Sequence, residues 1–164
     1  MRQLSYFENN HLDRITNIAS VPQRSPFRYP GGKTWLVPRI RQWLASLKKP
    51  PSEFIETFAG GGIVSLTVAF EDLANYMTMV EIDEEVAAVW CTILNGDGEW
   101  LANQIVNFNL SLPSVNAVLT KNNLSMQEKA FKTILKNRIN RGGILAAGAG
   151  MLKSGENGKG LGSR

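Results

Sequence analysis

Two short stretches hold the residues with the clearest chemical use. "FAGGGIVS" (58–65) contains Gly60-x-Gly62, and "VEIDEEV" (80–86) brings Glu81 and Asp83 about 20 residues later. Glycines at a strand-to-helix turn let backbone approach a ligand with no side chain between them. A carboxylate at the end of the next strand accepts hydrogen bonds from ribose hydroxyls. Ser65 stands where a dinucleotide fingerprint has its third glycine, which disfavours a nicotinamide cofactor. Tight turns use the same glycines for geometry alone, so the pattern by itself leaves a binding loop and a plain turn both open. A third stretch, "SPFRYPGGK" (25–33), joins aromatic residues to a glycine pair and Lys33. It reads either as a connecting turn or as half of a pocket for a flat, charged small molecule.

The residue types that are scarce narrow the chemistry. Cys91 and His11 are the single cysteine and histidine of the chain. They rule out an internal disulfide and leave too few soft ligands for an ordinary zinc site. The same scarcity argues against Ser-His-Asp and Cys-His mechanisms.

The elements that must position these stretches follow from periodicity. The 164 residues, 43% hydrophobic and 20% charged, fit one globular domain with its own core. "EFIETF" (53–58) and "YMTMVEID" (76–83) predict strands, with a glycine turn and a helix from Ile63 to about Phe70 between them. With "EEVAAVWCTIL" (84–94) as the next helix, this is a βαβ unit with a parallel pair. Upstream, "KTWLVPRIRQWLASLKK" predicts a helix with Leu36, Ile40, Trp43, Leu44 and Leu47 facing the core. Thr34 is its candidate cap, Pro38 falls in its first turn, and Pro50–Pro51 are its stop. A short amphipathic helix is expected over residues 10–19.

Downstream, Trp100, Leu101, Ile105 and Val106 predict one helix, and Val115, Val118 and Leu119 a shorter one. Ser125 and Glu128 form a capping box before "KAFKTILKNRI", whose apolar face is Phe131, Ile134, Leu135 and Ile139. Eight of the fifteen glycines lie from Gly142 onward. Such a segment is expected to be a mobile loop or a surface completed by another molecule. No stretch approaches the ~20 apolar residues of a membrane span, and "MRQLSYFENN" is too polar for a signal peptide. The expectation is a cytoplasmic protein that does not engage a membrane.

The net charge of +4 is unevenly spread. Residues 1–120 carry 9 Lys/Arg against 12 Asp/Glu, a net of −3, and residues 121–164 carry 9 against 2, a net of +7. A basic, glycine-rich end suits contact with a phosphate backbone, and solvated lysines on a helix face give the same count.

The blocks "PFRYPGGK" (26–33), "FIETFAGGG" (54–62), "VEIDEEV" (80–86) and "NRINRGGILAAGAGMLKSGENGKG" (137–160) together resemble the Dam-type, adenine-specific DNA methyltransferases in order and spacing. That family has an aromatic followed by Ala-Gly-Gly-Lys, then Glu-Pro-Phe-x-Gly-x-Gly, then Asp-Ile-Asn, then a segment opening with Asn-Arg. The resemblance implies an α/β, Rossmann-like S-adenosylmethionine-dependent methyltransferase fold, incomplete, with a helical insertion leading to a DNA-recognition region. It divides the chain into an arm (1–24), a cofactor-binding domain (25–120) and the start of a DNA-recognition region (121–164). A bacterial or phage-encoded enzyme is implied.

The same resemblance implies roles residue by residue. Tyr29, Gly31 and Lys33 would line the S-adenosylmethionine pocket. Phe58, Ala59, Gly60 and Gly62 would pass beneath the methionine part of the cofactor, Glu81 would hold the ribose hydroxyls, and Ile82 would pack on the adenine. Asn137, Arg138, Arg141 and Lys153 would begin the contacts to double-stranded DNA. Pro30, Thr57 and Glu81 depart from the family's small residue, proline and aspartate. The larger departure is that the family's Asp-Pro-Pro-Tyr catalytic motif is missing: Pro50–Pro51 are flanked by Lys49 and Ser52. The expectation is the cofactor half of an enzyme whose catalytic motif comes from a missing C-terminal half or a second polypeptide. The alternative is a non-catalytic nucleic-acid-binding or assembly subunit with a degenerate methyltransferase fold.

Overall fold

The alternation in "EFIET" and "YMTMV" gives each segment one inward and one outward side. They pair as β1 (Glu53–Thr57) and β2 (Tyr76–Val80), parallel, from Glu53 opposite Tyr76 to Thr57 opposite Val80. Phe54, Glu56, Met77 and Met79 turn inward, whereas Ile55, Tyr76 and Val80 are exposed on the other face. The computed structural model describes residues 18–28, 32–152 and 161, and their fold is mixed α/β around this small parallel sheet. The amphipathic helix expected over 10–19 lies almost entirely outside the described residues, which begin with a 3-10 turn, Ile18–Ser20.

Helix α1 (Val37–Ala45) follows a 3-10 turn, Lys33–Leu36. Thr34 is inside that turn, so the expected cap is absent; Gly32 precedes the turn without a side-chain hydrogen bond. Pro38 is buried in the first turn of α1, where its missing N–H has no partner to lose. The tighter winding of the preceding turn changes the angle per residue and brings Val37 onto the core, while Trp43 and Leu47 stay exposed. The helix stops before Pro50, with the Ser46 N–H returning to Gln42 and Trp43 carbonyls. Val37 and Leu44 pack with Val21, Ile63, Val64 and Val68 in one core cluster.

The crossover between the strands is α2 (Ile63–Phe70), as the sequence predicts. Strand β2 ends at Val80 and not at Asp83, because Asp83 caps α3 (Glu84–Thr92), accepting from the N–H groups of Glu85 at 2.9 Å and Val86 at 3.3 Å. Helix α3 ends at Thr92 in a wide π turn, Ile93–Asp97, where Gly96 adopts φ +97°. Then come α4 (Gly98–Val106), α5 (Leu112–Thr120) and α6 (Met126–Ile139). The Ser125/Glu128 capping box opens α6 with both of its hydrogen bonds present.

Helix α6 packs along α3, where Val86, Val89 and Trp90 share a core with Ala130, Phe131 and Ile134. The helix assigned from sequence to a recognition region therefore shares a core with the glycine-loop unit. The start of the glycine-rich tail is tied back to the end of α6. Arg141 N–H bonds to Gly150 O, Leu152 N–H bonds to Ile139 O, and Asn140 bridges to Met151. Among the described residues no helix is long and apolar enough to cross a membrane.

An ion-pair cluster fastens the segment before the candidate pocket. Glu71, at the end of α2, accepts from Arg41 Nε at 2.7 Å and Nη2 at 2.5 Å and from Arg24 Nη1 at 2.9 Å. The Arg41 hydrogen bonds foremost, with Arg24 adding to them, hold the Glu71 carboxyl below its ordinary value of 4.5. A depressed carboxylate contributes stability that is present above the unfolded value and lost as pH falls through the folded one. Glu71→Gln is expected to cost about 1 kcal/mol at pH 7 and to flatten the fall in stability below pH 4.5. Urea denaturation of both proteins from pH 7 to pH 3 checks this, and parallel pH profiles would refute it.

Candidate functional site

At the carboxyl ends of a parallel strand pair the chain must reverse into a helix, and the backbone there is bent sharply. Phe58 holds φ +60°, Gly60 +53° and Gly62 +64°. For phenylalanine this left-handed conformation is uncommon and requires outside support. Ala59 is fully buried and anchors the turn, its N–H donating to Val80 O at 2.9 Å while its carbonyl accepts from Gly62 N–H at 2.8 Å.

Around this turn lies a cavity of about 650 Å³, within the range of small-molecule sites. Lys33, Phe58, Ala59, Gly60, Gly62, Glu81 and Ile82, assigned to one pocket from sequence, all line it. Tyr29 and Gly31 lie outside the described residues. Ser25, Phe27 and Arg28 supply a further wall.

The charged residues lining the cavity are Arg28, Lys33, Glu81 and Asp83, with Glu56 buried behind Lys33. Glu81 curls over the glycine turn: Oε2 accepts from Gly60 N–H at 2.6 Å and Oε1 from Asp83 N–H at 2.9 Å. Each carboxylate oxygen retains a further lone pair for a ligand hydroxyl. Lys33 Nζ forms an ion pair with Glu56 Oε1 at 2.5 Å, an oxygen that has no hydrogen-bond partner among the described residues, and donates a hydrogen bond to Phe58 O at 2.6 Å. That second bond supports Phe58 in its left-handed conformation. Phe58 and Ile82 are 75% and 86% exposed, leaving two apolar surfaces at the cavity for a flat ring.

Sequence reasoning missed part of this site. Glu56 is only 5% exposed, and its Oε2 accepts from Ser65 N–H at 2.8 Å and from the Ser65 hydroxyl. Ser65 is thus a carboxylate partner, where the glycine pattern marked it only as a failed match. The available signal was an acid at an inward position of a strand that is otherwise apolar on that side. Trp90 Nε1 donates to Gly60 O at 2.8 Å, and the Phe27 ring meets Trp90 edge-on at 5.8 Å. These two aromatics lock the turn from beneath.

No family model matches the chain, and no curated protein matches it.

The residues assigned to nucleic acid separate from one another. Arg138 and Arg141 are exposed, at the end of α6 and in the turn that follows it. Asn137 is 2% exposed, with its amide bonded to the backbone of Arg28 and Gly143, so its side chain is not presented to a nucleic acid. The expectation for Asn137 is corrected on that ground. Lys153 lies outside the described residues.

Proposed function

We propose that the chain is the S-adenosylmethionine-binding half of a site-specific, adenine-specific DNA methyltransferase, with an incomplete Rossmann-like fold. The observation that carries this reading is the convergence on one cavity of the glycine turn, the Glu81 carboxylate and Lys33, at the carboxyl ends of a parallel strand pair. Glu81 would accept from the ribose hydroxyls, Ile82 would cover the adenine ring, and Phe58 to Gly62 would run beneath the methionine part. The residues present fit such a group: one acceptor-rich wall, two exposed apolar surfaces and about 650 Å³ of space. Bound there, S-adenosylmethionine supplies a methyl group carried on a sulfonium.

Accepting that methyl on the exocyclic amine of adenine needs hydrogen-bond acceptors for the amine and an aromatic to stack on the flipped base. The 164 residues hold no Asp-Pro-Pro-Tyr motif for this. The reading therefore places that motif on a second polypeptide or a further segment. Arg138 and Arg141 would contact DNA phosphates, which makes binding fall steeply with salt. The missing motif also favours a second reading, a non-catalytic nucleic-acid-binding or assembly subunit that keeps a degenerate fold.

Calorimetric titration of S-adenosylmethionine into the chain tests the proposal. Saturable binding is expected, weakened by about 10-fold or more in Glu81→Ala, the loss of hydrogen bonds to a charged acceptor. Circular dichroism confirms that both proteins are folded. A folded chain that binds DNA and no S-adenosylmethionine would select the second reading. Displacement by NADH would instead indicate a nicotinamide site.

A further inference from the structure

The amide of Asn137 bonds to the backbone of Arg28, which lines the cavity, and to that of Gly143, in the turn after α6. Its Oδ1 accepts from Arg28 N–H at 2.8 Å, and its Nδ2 donates to Arg28 O at 2.9 Å and Gly143 O at 2.7 Å. One side chain thus pairs with both backbone groups of Arg28, as a neighbouring strand would. The two residues are 109 positions apart in the chain. Gly143 completes the clasp: at φ +72°, a Cβ there would lie 2.4 Å from Arg28 O. The two backbones meet at a distance that excludes any side chain.

What the clasp holds is the wall of the cavity. Arg28, Phe27 and Ser25 line it, and Phe27 meets Trp90, whose indole N–H holds Gly60 O. The path therefore runs from α6 through Arg28 and Phe27 to Trp90 and the glycine turn. The opposite end of the clasp, the turn Arg141–Gly143, begins the loop that folds back through Gly150 and Met151.

We propose that Asn137 is a positioning residue for the ligand cavity, fixing the 25–28 wall against the glycine turn and joining the basic loop after α6 to that wall. Its role as a positioning residue for ligand binding rests on the proposed S-adenosylmethionine site; the clasp itself does not. Asn137→Asp keeps the acceptor for Arg28 N–H, removes both donors and sets a carboxylate against two carbonyls. Gly143→Ala keeps the chemistry of the Asn137 amide but presses a Cβ on both halves of the clasp, 2.4 Å from Arg28 O and 3.2 Å from Asn137 Nδ2. Leu135→Ala is the control: it opens space on the same helix in a separate cluster with Val115 and Ile139.

The experiment is hydrogen–deuterium exchange of each protein at a temperature where all are folded, with S-adenosylmethionine titrated into each. Asn137→Asp and Gly143→Ala are expected to speed exchange at Arg28 and around Gly60 and to weaken S-adenosylmethionine about tenfold. Leu135→Ala is expected to lower the melting temperature and change neither. Unchanged exchange at Arg28 and Gly60 in Asn137→Asp would overturn the proposal, as would an identical response in Leu135→Ala. If the wild-type chain binds no S-adenosylmethionine, the proposed function fails, and the exchange pattern alone decides whether Asn137 positions the wall.

Discussion

Gly62→Ala is expected to destabilise the protein by about 3 kcal/mol and to distort the cavity. Gly62 precedes α2 at φ +64°, a conformation that costs an alanine about 1–2 kcal/mol. The larger cost is steric. A Cβ at this position would lie 2.7 Å from Trp90 Cζ2 and 2.8 Å from Met79 Cε. The Met79 methyl is the free end of a flexible chain and can swing aside. The Trp90 ring cannot do so cheaply, because it is 5% exposed, bonded through Nε1 to Gly60 O and stacked edge-on against Phe27. Moving it breaks the bond that fixes the glycine turn and shifts the wall that Phe27 supports. Gly96→Ala is the natural comparison, since Gly96 also has a left-handed φ, +97°, with nothing within 4 Å of its Cβ position. It should show the backbone cost alone. Guanidinium denaturation of both variants separates the two contributions, and equal losses would remove the steric argument.

The βαβ unit was legible because its signals are local. Short runs of aromatic and β-branched residues in β1 and β2 and glycines at the turn need no knowledge of the rest of the chain, and the capping box at Ser125 is of the same kind. Boundaries moved where a side chain captured backbone: Asp83 ended β2 early by capping α3. The meeting of the glycine turn and Glu81 at one cavity was also legible, since it follows from strand order, whereas the place of Lys33 there was implied by the family resemblance alone.

Asn137 was misread for a specific reason. Counting apolar residues on α6 finds Phe131, Ile134, Leu135 and Ile139 and misses a second buried stripe. Ala130, Thr133 and Asn137, three and four residues apart, are all buried. Small and polar residues carry little hydrophobic signal, and what covers them lies elsewhere in the chain: Ala130 packs against α3, and Asn137 is buried against Arg28, 109 positions away. The Glu56–Ser65 contact was hidden in the same way, because whether an inward acid has partners is a tertiary fact.

Lys33→Met is expected to cost about 3 kcal/mol, at the low end for removing one partner of a buried pair. Glu56 is 5% exposed, and among the described residues its charge is met, besides its Ser65 hydrogen bonds, only by Lys33, 2.5 Å from Oε1. Without the ammonium, a carboxylate stays in the interior with one oxygen uncompensated. The lysine is 27% exposed, so water reaching Glu56 moderates the loss. Methionine preserves the stem and removes only the charge and its donors, which keeps the packing cost small. A second consequence concerns Phe58, whose carbonyl loses its 2.6 Å bond from Lys33 Nζ and with it support for φ +60°. The turn should relax even where the protein stays folded. Adding Glu56→Gln removes the buried charge while leaving an oxygen to accept from Ser65, so the double variant should regain more than half of the lost stability. Denaturation of the wild type, both single variants and the double variant gives the coupling directly. A Lys33→Met loss below about 1 kcal/mol, the level of an exposed pair, would mean that Glu56 finds its compensation elsewhere and that Lys33 is free to serve a ligand alone.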